Sequence, residues 1–183
     1  MAATGPPRRS TSAIKAISGI VAAANPQEPA AQDFVQAVLA QMSLEDFELQ
    51  DQQAWVKILN SLLQISRQRI PGIASVRVNQ DVSLLADNSH TRSSLEIVSD
   101  DFPFLVDSFK MVLDNLGISC YAIVHPVVSV ERDGEGNLQS VPGSLKESII
   151  WIEIERQSTE SAEVLVSAIR QTLDDVRVSV RDW

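Results

Sequence analysis

Two adjacent aspartates, Asp100 and Asp101, end a strand-like run in "SSLEIVSDDFPFLVDSFKMVLDNLG" and are the first residues whose chemistry asks for a role. Paired carboxylates serve acid-base catalysis when both reach one proton, but adjacent residues rarely aim at a single point. Aspartate is also a common helix cap and complements the helix dipole. The reading taken here is therefore a cap for the helix that follows, with Pro103 in its first turn. The turn is also where a ligand or partner would meet the chain, since amides at a helix start point outward. Residues 100–107, with Asp100, Asp101, Pro103, Phe104 and Asp107, are the candidate ligand or interface turn.

Other reactive types are sparse. The sequence holds two histidines, His90 and His125, and one cysteine, Cys120, so neither a metal-ligand constellation nor a Cys/His nucleophile pair can be assembled. His125, just before Pro126, is read as a hydrogen-bonded strand histidine, with a pH sensor or ligand contact as the alternative. Cys120 falls on the core-facing side of its strand and is expected to be buried and inert. The seven glycines form no phosphate-cradling or dinucleotide-binding fingerprint. "DGEGN", at 133–137, lacks the length and ligand spacing of a calcium loop and is read as a hairpin turn. No catalytic, metal-binding or cofactor-binding residue is assigned, and catalysis by this chain alone is not expected.

The elements that would position these residues follow from periodicity. Residues 1–30 read as a loose tail with one short helix, and 31–72 as a helical lead-in. Phe34, Val38 and Met42 recur at helical spacing, Ser43 and Asp46 form a capping-box-like restart, and Trp55, Ile58, Leu59, Leu62 and Ile65 share one face. From residue 73 the pattern changes to period two. "SVRVN" and "SSLEIVS" read as strands, the latter with Leu95 and Ile97 opposite Glu96 and Val98. A helix follows with Phe102, Leu105, Val106, Phe109, Val112, Leu113 and Leu116 on its apolar stripe and Gly117 as its stop.

Residues 118–132 read as one long strand, with Ile118, Cys120, Ala122, Val124, Val128 and Val130 on one face. After the turn, "SIIWIEIER" returns with Ile150, Ile152 and Ile154 toward the same core. A helix over 159–174 carries Ala162, Leu165, Val166, Ile169 and Leu173, and "VRVSV" closes the chain as an alternating strand. Strand, helix, strand, strand, helix, strand is the α+β, ferredoxin-like βαββαβ layout, here over 73–183 behind an N-terminal helical extension. In it the strand after the first helix is an edge, where Pro126 is tolerated.

Composition bounds the function. At 183 residues and 44 % apolar content the chain can bury a real core. A net charge of -9 and a pI near 4.6 oppose nucleic acid or an anionic membrane as partner. An RNA-binding reading of the fold also lacks a basic and aromatic platform. Arg8, Arg9 and Lys15 are the only charges before Glu28. The run behind the arginine pair imitates a secretory signal, but Lys15 and several serines interrupt it. No run of about 18 apolar residues exists to span a membrane, and a lone cysteine fits a reducing, cytoplasmic setting.

Some apolar residues have no assigned cover. Phe104 and Met111 lie together on their helix but off its stripe, so they are expected to be exposed. Tyr121, Ile123, Val127, Ile149 and Trp151 make the second sheet face more apolar than solvent requires. Either the N-terminal helices cover that face or a partner does. Met111, His125 and Trp151 are accordingly the candidate interface residues.

Four blocks in order, "SLEIVSDDFPFLVDSFKMVLDNLGI", "IVHPVVSVERDGEGNL", "KESIIWIEIER" and "VRVSVRDW", resemble the N-terminal ACT-type segment of the large bacterial NAD-specific glutamate dehydrogenases. The resemblance covers 93–183, with 32–80 fitting the lead-in more loosely. It implies a fragment of a much longer enzyme that deaminates glutamate to 2-oxoglutarate, and a regulatory or assembly role for this part. The resemblance implies no cofactor in this fragment and NAD in the parent enzyme, bound far downstream. Implied partners are downstream domains of the same polypeptide, further copies in a homo-oligomer, and an amino-acid effector. ACT domains commonly bind amino acids where the first strand enters the first helix, which here is 100–107. Many carry Pro-Gly there and this chain carries Pro103-Phe104. The alternative is a free-standing amino-acid sensor that dimerises through its edge strand.

Overall fold

The computed structural model describes residues 8–80 and 92–181; His90 and residues 1–7 lie outside them. The described elements run α1 (Arg8–Ala24), α2 (Ala31–Ala40), α3 (Leu44–Glu48), α4 (Gln52–Ser66), β1 (Ser75–Asn79), β2 (Arg92–Asp100), α5 (Leu105–Asn115), β3 (Cys120–Val124), β4 (Val127–Arg132), β5 (Leu138–Glu155) and α6 (Thr159–Arg181). All the strand pairings are antiparallel, in the order β1-β2-β5-β3, with β4 also paired to β5.

The sheet is buried on both faces. On one, Leu95, Ile97, Ile150, Ile152 and Ile154 pack with Leu105, Phe109 and Leu113 of α5 and Leu165, Ile169 and Leu173 of α6. On the other, Val98, Val124, Val128, Val130, Ile149 and Trp151 pack with Phe34, Val38, Trp55, Ile58 and Leu62 of α2 and α4. Ile17 and Val21 of α1 join that second core at 0 % exposure, so this helix is part of the packed body where a loose tail was expected. Most of the face expected over 118–130 therefore does not share a core with Ile150, Ile152 and Ile154. Val124, Val128 and Val130 face the N-terminal helices, while Ile118 belongs to the α5/α6 side.

Local chemistry explains most element ends. Ser43 and Asp46 form a reciprocal capping box, and Asp51 accepts from the Ala54 amide at 2.8 Å to start α4. The expected long strand over 118–132 breaks between β3 and β4, at His125 and Pro126. Proline cannot donate to the ladder, but its carbonyl accepts from the Ile149 amide at 2.9 Å. An irregularity between Cys120 and Ala122 resets the alternation, and Cys120 is exposed rather than buried.

β5 begins at Leu138, well before the expected 148, because its first half pairs with β4. Gly143 lies so close to β4 there that a Cβ would stand 2.0 Å from the Val130 carbonyl carbon. Gly136, with φ of 84°, closes the "DGEGN" turn as expected, stitched by Asp133 to the Glu135 and Asn137 amides.

"VRVSV" is not a strand. Residues 176–180 continue α6, and Val176 packs on the α5/α6 core while Val178 is 58 % exposed. The position beside β2 that a last strand would take is already filled by β1. With no edge there to pair, the alternating segment stays helical. The result is the ferredoxin-type, ACT-like α+β fold with one edge strand supplied from before β2 instead of from the end of the chain.

Candidate functional site

The strand-to-helix turn after β2 holds the five residues singled out from the sequence, and the structure sends them in different directions. Neither aspartate caps α5. Its N-cap is Phe104, left-handed at φ of 68° and with no side-chain cap bond. Asp100 turns back under the sheet, accepting from Arg69 Nη2 at 2.7 Å and from the Gly72 amide at 2.9 Å. Asp101 accepts from Ser148 Oγ at 2.8 Å. Pro103 and Asp107 are exposed, and Asp107 stands in the first turn of α5, where its charge complements the helix dipole.

Behind Asp100 lies a buried ion cluster that the sequence reading missed. Glu147, at 0 % exposure, accepts from Arg69 and Arg132 through both of its oxygens at 2.6–3.0 Å. Arg132 also donates to the Ser66 and Gly136 carbonyls, and Arg69 to that of Ile73. Two arginines against Glu147 and Asp100 balance in charge, as burial requires. The cluster ties the end of α4 to the β4/β5 hairpin and to the end of β2. Only the types of these residues are visible in sequence. Arg69 and Glu147 are 78 positions apart, and no local spacing marks them.

On the opposite side of the turn, His125 Nε2 lies 2.9 Å from the buried Ser148 Oγ. The Ser148 proton goes to Asp101, so His125 must donate to Ser148, with its proton on Nε2. Nucleophilic catalysis needs the reverse polarity, with histidine accepting from serine. The trio is therefore a latch between the turn and the break between β3 and β4. Burial pushes the His125 pKa below its ordinary 6.5, against an opposing pull from Asp101. The Cys120 thiol is raised, chiefly by partial desolvation of its sulfur, and stays protonated near neutral pH although the residue is exposed.

The candidate interface residues separate as well. Trp151 is fully buried, its ring 5.9 Å from that of Trp55, so the N-terminal helices cover it and it is not available to a partner. Ile149 is covered in the same way, while Tyr121 stays half-exposed beneath Arg92 at 4.2 Å. Phe104 and Met111 are exposed as expected, at 71 % and 65 %. They line a groove of about 410 Å³ between α5 and the end of α6, with Val112 and Val176 at its floor. A second cleft, of about 430 Å³, opens beside Asp100, where Phe102 and Leu173 meet the side chains of Arg170, Asp174 and Arg177. It offers both signs of charge over an apolar floor.

An antiparallel ferredoxin-type sheet with two helices on one face and a buried helical lead-in on the other defines an ACT-like domain. The family described as "Glutamate dehydrogenase, ACT1 domain" matches residues 34–169, and the chain belongs to it. It is 33 % identical over 101 residues to the NAD-specific glutamate dehydrogenase of Halomonas elongata and 35 % identical over 101 residues to that of Pseudomonas aeruginosa. Each match covers 51 % of this chain and 6 % of the relative, so those polypeptides extend far beyond the matched region. No solved structure matches the chain. Among the described residues, no helix is long and apolar enough to cross a membrane.

Proposed function

We infer that this chain is the non-catalytic regulatory or assembly domain at the N-terminal end of a large, cytoplasmic, oligomeric NAD-specific glutamate dehydrogenase. The parent reaction takes L-glutamate, NAD and water to 2-oxoglutarate, ammonium and NADH, with the nicotinamide held by domains further along the polypeptide. The match to the ACT1 family over most of the described chain carries this reading. The chemistry of the turn supports it, since Asp100 and Asp101 are engaged by internal partners and Ser148 is oriented away from nucleophilic use. The purified chain, mixed with glutamate and NAD, is expected to form no NADH and to show no heat of NAD binding. Measurable turnover by the chain alone overturns the reading.

A free-standing amino-acid sensor is the second reading, favoured by the mixed-charge cleft beside Asp100 and by the position of β3 at the sheet edge. A zwitterion would set its carboxylate toward Arg170 and its ammonium toward Asp174. Calorimetric titration with a panel of amino acids separates the two. Saturable binding that Asp174→Ala abolishes favours the sensor, and silence across the panel favours assembly.

A further inference from the structure

We propose that the groove between α5 and α6, floored by Val112 and Val176 and walled by Phe104 and Met111, is the docking site for a basic-rimmed apolar segment of the same polypeptide downstream of this domain. The proposal rests on the reading of this chain as one domain of a longer dehydrogenase. Phe104 is the one non-glycine residue among those described with a positive φ, and it is a bulky one. A left-handed phenylalanine costs free energy that glycine would not, and its ring gains little burial in return. Its twist sets the ring against the helix pair, next to Met111 two turns on. Methionine and an aromatic ring, both exposed on one groove of about 410 Å³, form the kind of adaptable apolar surface that interfaces use.

Charge selects the occupant. Asp175 lines the groove, and Asp107 stands between Phe104 and Met111 at the helical spacings that make neighbours. The remaining lining residues are uncharged: Ser108, Asn115, Thr172 and Ser179. Lys110 is turned to the other flank of α5, where its field reaches Cys120. A second copy would bring the same acidic rim and the same net charge of -9. A downstream segment with Lys or Arg beside its apolar residues meets neither objection. Thr172, Asp175, Val176 and Ser179 set the C-terminal turns of α6 along one side of the groove, on the same polypeptide as the proposed downstream domains. A tethered segment then docks at high effective concentration.

Hydrogen exchange of the isolated 183-residue chain and of the complete polypeptide, read on the amides of α5 and the last turns of α6, tests this. The groove amides are expected to exchange at least about tenfold more slowly in the complete polypeptide. Phe104→Ser with Met111→Ser, and separately Asp107→Lys with Asp175→Lys, should return them to the rates of the isolated chain. Both pairs are surface changes, and far-ultraviolet circular dichroism of the isolated variants checks that the fold is intact. Equal exchange in the two wild-type forms overturns the proposal. So does a dimer of the isolated chain, seen by sedimentation, that Phe104→Ser dissolves. Groove protection in a complete polypeptide that fails to oxidise glutamate would leave the docking standing and remove the dehydrogenase reading.

Discussion

Glu147 receives four hydrogen bonds from two arginines while wholly out of solvent, and this makes it the residue whose loss the fold should feel most. Glu147→Gln keeps the shape but leaves two buried guanidinium groups short of a counter-charge. A loss of about 3–5 kcal/mol is expected, read as a fall in the urea midpoint at unchanged slope. His125 gives a pH signature of opposite origin. Its folded-state pKa lies below the unfolded 6.5, because burial disfavours the imidazolium. Folding therefore favours neutral His125, and that contribution is complete above 6.5 and declines as pH falls through 6.5 toward the folded pKa. His125→Gln should flatten this part of the stability curve, and an unchanged slope in that variant would contradict the assignment. At Phe104, exchange for glycine relieves the left-handed backbone. It should stabilise the isolated chain by about 0.5–1 kcal/mol while weakening docking in the complete polypeptide. A loss of stability in the isolated chain would show that the ring is held by contacts within the domain.

Among the elements, α5 and the first turns of α6 were legible because a buried stripe imposes its period on the sequence. Leu105, Phe109 and Leu113, with Leu165, Ile169 and Leu173, all reach the core they were assigned. Legibility failed where a neighbour decided the outcome. "VRVSV" alternates as a strand should, yet β1 occupies the edge it would need, and nothing within residues 176–180 records that. Alternation along 118–130 was real, but the break at Pro126 and the irregularity after Cys120 changed which face each residue meets. The caps divided similarly. Ser43 and Asp51 cap through backbone three residues on, a local matter, whereas Asp100 and Asp101 are drawn off by Arg69 and Ser148 from distant elements. For α1, Ile17→Ala should cost about 2–4 kcal/mol, because a fully buried side chain leaves a cavity. Thermal unfolding that does not respond to Ile17→Ala would return this segment to the tail reading.

Across the whole molecule, the sheet acts as a partition. One face is closed by α1, α2 and α4 through a continuous apolar core centred on Trp55 and Trp151, so of the two covers the sequence left open, N-terminal helices or a partner, the helices take the place. The other face is closed by α5 and α6, and the exposed Phe104 and Met111 stand together at their far groove. That arrangement fits a module that is stable in itself and attaches by one side, in keeping with its family and with relatives whose polypeptides are many times longer than the matched region. The nature of the ACT1 family member was readable from four separated sequence blocks. The groove's chemistry was half readable, in that Phe104 and Met111 fell off the apolar stripe, while the wall supplied by α6 depended on a helix that the alternation concealed.

Active-enzyme sedimentation of the complete polypeptide beside one lacking residues 1–183 tests the central claim most directly, because it reads size and NADH formation from the same band. The shortened protein is predicted to keep glutamate-dependent NAD reduction while sedimenting as a smaller or less uniform assembly, or answering differently to amino acids. Identical assembly and response in both forms, or a folded shortened protein without chemistry, would contradict a non-catalytic role in assembly and regulation.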